Sequence, residues 1–203
     1  MRTRLSKSQR RADILDKARR LIFERGLSRT EMEDIPVACG ISRGGLYHHF
    51  SNKRVVLNAL VEADVLPLAA RLKDGVASPI PTLLNAGSSH LGCDLGILAA
   101  MRTQDEKLEY LSALDLALDK ILRDILTVQL TEFVRPGTSS NHVAELFLTV
   151  NAHINRREIL GHWTSPQAAG FAATALEAMA PLLRSPQDLD PIISGLNEKA
   201  STS

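Results

Sequence analysis

Apolar residues recur along this chain at spacings of three and four, the period of helices that bury one face. Ile14, Ala18, Leu21 and Ile22 form such a stripe between Lys7 and Arg25, and Gly26 follows where a helix end favours glycine. Thr30 and Glu33 have the T-x-x-E spacing of a capping box. A second helix is therefore predicted to open at Thr30, with Met32, Ile35 and Ala38 turned inward. Pro36 should bend it, because proline removes one i→i−4 hydrogen bond. Gly40 supplies a left-handed turn, and Ser42 caps a third helix, RGGLYHHF, packed through Ile41, Leu46 and Phe50. Two short helices joined by a tight glycine turn make a helix-turn-helix.

Longer helices follow. Ser51 or Asn52 caps a segment from Lys53 to about Leu72, with a bend expected at Pro67. Residues 75–81, with Pro79 and Pro81, read as a break, followed by helical pieces from Thr82 to His90 and Leu95 to Met101. A long helix from Gln104 to Val134 carries a stripe of Leu108, Leu111, Leu118, Leu122, Ile125 and Phe133, ended by Pro136 and Gly137. Two more helices span Asn141–Gly161 and Pro166–Arg184. The tail after Ser185 is expected to fray, with PIISGLNEKA adding at most a short turn. No sustained period-two alternation and no Asn-Gly or Asp-Gly turn occurs. The expected fold is all-α: a three-helix head over residues 1–52, its helix-turn-helix at about 31–50, and a larger helical body over 53–203.

Charge sharpens this division. The net charge is only +1, yet residues 1–60 hold thirteen Lys and Arg against six Asp and Glu, while residues 61–203 hold eleven against seventeen. A basic head favours a polyanion, since each neutralised phosphate releases counterions. No run of 18 apolar residues exists to cross a membrane, and the basic start MRTRLSKSQRR has no apolar core behind it, so a cytoplasmic location is expected. Cys39 and Cys93 lie far apart in apolar surroundings and read as reduced thiols, with a redox pair as the sharper alternative. His90, His142, His153 and His162 are scattered, and no C-x-x-C or H-x-x-x-H asks for a metal. No phosphate-binding glycine loop or nucleophile elbow is present, so neither catalysis nor a cofactor is expected.

The candidate chemistry gathers in the head. Adjacent glycines weaken a helix by roughly 1 kcal/mol each relative to alanine. Gly44 and Gly45 are intelligible if that helix must bring its backbone close to another molecule. Ser42 and Tyr47 offer hydroxyl donors to phosphates, His48 and His49 offer ring N–H groups, and Arg43 can grip guanine O6 and N7 bidentately. Lys53 suits a second phosphate. Tyr47 also reads as a core aromatic with a wet tip, and His49 as a structural histidine.

Helix 1 followed by TEMEDIPVACGISRGGLYHHFSNKRVVLNAL resembles the DNA-binding head of the TetR family of bacterial transcriptional regulators, over roughly residues 8–60. The LYHHF core followed by SNK is its most specific part. The resemblance implies an all-α homodimer whose head binds palindromic double-stranded operator DNA and whose body binds a small-molecule effector that releases it. It places Thr30, Ser42, Tyr47, His49 and Lys53 at phosphate-contact positions and Arg43, Gly44, Gly45 and His48 facing the groove. Pro36 replaces the usual alanine of helix 2, and Gly45 stands where a small side chain often touches DNA.

In the body, the helices at about 141–161 and 166–184 are expected to pair with their symmetry mates in a four-helix bundle. The small residues Ala168, Ala169, Gly170, Ala172, Ala173 and Ala175 allow close approach there. Met101, Tyr110, Asp115 and Phe133 are the candidate effector contacts, Asp115 because an acid within a leucine stripe is costly unless paired. Asp115 reads more simply as an acid at the edge of the stripe that meets an arginine. The expected function is a homodimeric repressor; the alternatives are an activator of the same fold, or a helical ligand-binding or protein-interaction module that does not bind DNA.

Overall fold

The computed structural model describes residues 5–73 and 96–202. The break at 75–81, the helix at 82–90, His90 and Cys93 lie outside the described residues. The described chain is all-α, with helices α1 (Lys7–Arg25), α2 (Asp34–Cys39), α3 (Arg43–Tyr47), α4 (Lys53–Lys73), α5 (Gln104–Leu130), α6 (Ser140–Ile159), α7 (Ser165–Met179) and α8 (Asp190–Ser201). Its described residues fall into two compact units, 5–64 with 96–114, and 65–73 with 115–202. The first is larger than a head ending at residue 52, because it includes part of α4 and the first turns of α5.

In the first unit, Ser6 and Gln9 form a reciprocal capping box at the start of α1, and Gly26, at φ 89°, ends the helix. Ile14, Ala18, Ile22, Leu27, Ile35, Leu46, Phe50 and Leu60 are all at most 1% exposed. Each large apolar side chain so buried contributes about 1.5–3 kcal/mol of transfer free energy.

The Thr30–Glu33 capping box is not formed. α2 opens at Asp34, and its N-cap Glu33 makes no side-chain cap bond. Pro36 explains the shift. A helix opening at Thr30 would hold Pro36 in its interior, whereas opening at Asp34 places it in the first turn, where no intrahelical N–H is required. Pro36 therefore sets the start of α2 rather than bending it. The Asp34 carboxylate accepts from the Glu31 N–H at 2.9 Å and holds the preceding turn. The buried face moves with the start: Ile35, Pro36 and Cys39 are inside, while Ala38 is exposed. At the other end Gly40 is left-handed (φ 60°), and the Ile41 N–H reaches the Pro36 carbonyl at 3.0 Å, closing a Schellman turn.

Two carboxylates bind α4 and α5 residues to the rest of this unit. Asp64 pairs with Arg19 at 2.5 Å and accepts the Ile97 N–H at 2.9 Å. Gly96 has φ +47°, and a Cβ there would strike the Asp64 carboxylate, so glycine is required on both counts. Residues Gly96–Ala100 form a 3₁₀ turn. Glu106, 2% exposed, accepts from the backbone N–H of Ser28 (2.6 Å), Arg102 (2.6 Å) and Thr103 (3.2 Å). The Arg102 guanidinium in turn donates to the Phe23 and Glu24 carbonyls at the end of α1.

In the second unit, the apolar stripe of α5 runs through Leu118, Leu122, Leu126 and Leu130, all at most 3% exposed. The expected stripe differs in detail, since Leu108 is 40% exposed and Ile125 and Phe133 are half-buried. Residues 133–135 and 182–184 lie antiparallel: the Arg135 N–H meets the Leu182 carbonyl and the Arg184 N–H meets the Phe133 carbonyl, both at 2.9 Å.

The tail after Ser185 does not fray. Residues Pro186–Leu189 form a 3₁₀ turn, and α8 follows with Pro191 in its first turn and packs along α7. Gly170 on α7 comes so close to α8 that an added Cβ would lie 3.5 Å from that of Ala200. α7 buries Ala168, Ala169, Ala172, Ala173, Leu176 and Met179. Part of the small-residue stripe expected to meet a second chain is thus occupied by this chain's own last helix.

Candidate nucleic-acid interface

The turn from Gly40 to Ser42 aims α3. Ser42 is extended (φ −74°, ψ 157°), and its Oγ accepts the Gly45 N–H at 3.1 Å, fixing the first turn. Leu46 and Phe50 anchor one face, at 0% and 1% exposure. The opposite face is open, with Arg43, Gly44, Tyr47 and His48 all exposed. Tyr47 is therefore not a core aromatic. Its ring lies 5.5 Å from the Arg43 guanidinium carbon, and Arg43 also pairs with Glu33 at 2.9 Å.

The two glycines differ. A Cβ at Gly44 would meet nothing within 4 Å, so nothing among the described residues requires glycine there. A Cβ at Gly45 would lie 3.4 Å from Ser42 Oγ and 3.8 Å from Ile41 Cβ, in ordinary contact.

Two expected phosphate contacts have internal work. Thr30 is 1% exposed and its hydroxyl donates to the Gly26 carbonyl at 2.8 Å, so its side chain is withdrawn from solvent. Lys53 Nζ donates to the Leu27 carbonyl at 3.2 Å, tying the start of α4 to the loop after α1 and leaving two ammonium N–H groups. Asn52, rather than Ser51, caps α4, accepting the Val55 N–H at 3.0 Å.

His49 is half-buried beside His48, with ring centres 5.4 Å apart. Burial lowers its pKa, and the charges of His48, Lys7, Arg11 and Arg10 lower it further. The Arg11 guanidinium carbon lies 5.1 Å from the centre of the Phe50 ring, so the start of α1 sits beside the segment that follows α3 and extends its basic surface. The basic start is visible in the sequence, but nothing local there gives Lys7, Arg10 and Arg11 a role, because no nearby residue shows that α1 begins close to the end of α3.

The four candidate effector contacts divide between the two units. Met101 and Tyr110 are buried in the first unit, at 6% and 7% exposure. Asp115 and Phe133 belong to the second, separated by most of α5, about 22 Å of helix at 1.5 Å per residue. Asp115 is exposed at its surface, yet partial burial raises its pKa while Arg156 opposes the shift. Asp119, one turn further along α5, pairs with Arg123, which also meets Glu145.

Residues 14–60 match the profile of the bacterial regulatory proteins, tetR family. Over these residues the head matches the TetR-family model. The chain is 37% identical over 62 residues to the HTH-type transcriptional regulator TtgR of Pseudomonas putida, covering 30% of each chain. It is 40% identical over 72 residues to the HTH-type transcriptional repressor KstR2 of Rhodococcus jostii, covering 36% of this chain and 35% of that one. The alignments thus span about a third of those relatives' lengths. Beyond the TetR-type head, the likeness is one of fold. The TetR-family protein CprB of S. coelicolor A3(2) superposes with a TM-score of 0.53 at 20% identity, covering 96% of this chain and 100% of that one. Salmonella enterica GusR gives 0.55 at 17%, covering 97% and 100%.

Proposed function

We propose that this protein is a homodimeric, sequence-specific DNA-binding regulator, a repressor released from its operator by a small molecule. The observation that carries the reading is the open side of α3: Arg43, Gly44, Tyr47 and His48 are exposed together while Leu46 and Phe50 fix the helix from behind. Such a helix reads base edges through Arg43 and His48 and holds phosphates through Ser42, Tyr47, His49 and Lys53. Thr30 acts from inside, by holding the loop that leads to α2.

Dimerisation is proposed through α6 and α7, on the face that α8 leaves free. His153, Trp163 and Phe171 form a ring cluster with centres 5.1–5.3 Å apart, capped by the Arg157 guanidinium 5.2 Å from Trp163. Leu146 and Phe171 are 45% and 38% exposed. A two-fold pair presents two α3 helices to half-sites about 34–36 Å apart. Asp115 is the proposed effector contact within the second unit.

Selection of genomic fragments on the purified protein, followed by gel shift, tests the reading. A palindromic duplex should be retained over random DNA by about a thousandfold or more. Equal, weak binding to all duplexes would refute sequence-specific regulation. A promoter fusion carrying the selected site should be silenced by the protein, and a ligand that raises its melting temperature should restore expression.

A further inference from the structure

We propose that Arg11, on the first helix, is a phosphate clamp that grips the DNA backbone beside the end of α3. This inference rests on the DNA-binding reading above and adds a contact outside the helix-turn-helix.

Arg11 is exposed, and its guanidinium carbon lies 5.1 Å from the centre of the Phe50 ring. Phe50 is 1% exposed and closes the segment that begins with α3, so the position of Arg11 is fixed relative to that segment. Stacking on a ring face holds the guanidinium plane and leaves its N–H edges free. Among the described residues, no carboxylate or carbonyl accepts a hydrogen bond from Arg11. Its neighbours differ: Arg10 pairs with Asp13 at 3.1 Å, and Arg43 pairs with Glu33 at 2.9 Å.

The surroundings make the charge informative. His48 lies beside His49, and the charges of His48, Lys7, Arg11 and Arg10 all disfavour protonation of His49. The Asp13 carboxylate is engaged by Arg10. If Arg11 served only to cover Phe50, an uncharged side chain of similar length would do so without like-charge repulsion. A cation kept among cations, with a planar fork held in place and no acceptor, is complementary to an anion with paired oxygens. A phosphodiester supplies that geometry. The occupant is the backbone of the duplex already engaged by α3, at a phosphate flanking the bases that α3 reads.

The test uses the full chain and the selected duplex, with dissociation constants measured by fluorescence anisotropy between about 0.05 and 0.3 M salt. R11M keeps an apolar stem over Phe50 and removes the charge. It should weaken binding about tenfold at low salt, equally for specific and random duplexes. The slope of log K against log salt should shrink by about 0.9, the value for one phosphate contact. R11K should recover most of the slope but only part of the affinity, because an ammonium lacks the fork. Should R11M fail to fold, R11Q reads the same slope. Wild-type affinity and slope in the charge-removed variant would overturn the role of Arg11 while leaving the DNA-binding reading intact. A wild-type protein that bound no duplex would overturn both.

Discussion

The Arg43 guanidinium lies over the ring of Tyr47, 5.5 Å from its centre. Glu33 also holds this guanidinium at 2.9 Å, and this ion pair is well exposed, at 69% and 55% for the two side chains. Pairs this open contribute little in water and yield readily to a competing acceptor. In the free protein Glu33 and Tyr47 therefore park Arg43 on the surface that would meet DNA, and Glu33 adds a negative charge beside incoming phosphates. E33Q should tighten DNA binding about two- to fivefold at low salt, with the gain fading as salt screens it. R43A should flatten the sequence preference by roughly ten- to hundredfold at one base pair. Y47F should keep the stack and weaken all sequences alike. Anisotropy titrations on matched and mismatched duplexes separate the three. An E33Q variant that binds more weakly would show that Glu33 orients Arg43 instead of restraining it.

Gly44 tests close approach directly. A Cβ there meets nothing within 4 Å, and its φ is not in the left-handed region, so alanine fits without strain. G44A should raise stability by about 0.5–1 kcal/mol through helix propensity and a stiffer unfolded chain. In a chain of this size that is a few degrees in melting temperature. If the backbone at Gly44 must approach DNA, the same methyl group should cost about tenfold in affinity. Opposite signs in thermal melts and binding are the expected outcome; a variant both more stable and equally tight would mean the glycine serves no close contact.

The unpaired face of the body yields a second kind of test. Phe171, 38% exposed, belongs to the ring cluster with His153 and Trp163, and Leu146 on α6 is 45% exposed. F171E introduces a charge that a two-fold interface would have to bury opposite its own copy. Light scattering should find the wild type at twice the 22.2 kDa chain mass and the variant at the single mass. Binding to a two-half-site operator should fall at least a hundredfold, while weak binding to a half-site persists. A wild type that runs as a monomer would remove the proposed dimer.

Where the sequence signal was local, it could be read. The end of α1 at Gly26, the left-handed Gly40 and the Ser42 cap each depend on residues within a few positions, and each forms as expected. The start of α2 is also local but contested: Thr30 and Glu33 ask for one helix start, Pro36 for another, and the proline prevails because an interior ring costs more than a lost cap. α8 has a proline-led start and apolar Ile192, Ile193 and Leu196, but its stability comes from packing on α7, which no window of its own sequence contains. Long-range ties were illegible for the same reason. Glu106 meets Ser28 across 78 positions and Asp64 meets Arg19 across 45, and neither acid stands out by type or spacing. Asp115 and Phe133 were grouped by chemistry alone, and the length of α5 separates them.

Glu106 makes acid stability a readout of the first unit. Burial pushes its carboxyl pKa up, but hydrogen bonds donated by Ser28, Arg102 and Thr103 outweigh that and hold it below the ordinary glutamate value. The unfolded chain, in which Glu106 titrates at about 4.3, then takes up the proton first as pH falls. The stabilisation from this residue is complete above that range and is lost as pH drops through the lower native pKa. E106Q removes the titration and leaves an amide facing three N–H donors, only one side of which can accept. It should cost about 1–3 kcal/mol at neutral pH. Its stability should also fall less steeply than the wild type's between about pH 5 and pH 3. Urea titrations across that range measure both effects. An E106Q chain as stable as the wild type at pH 7, with an unchanged acid limb, would show that these three N–H groups find other acceptors and that Glu106 does not hold the loop after α1 to the start of α5.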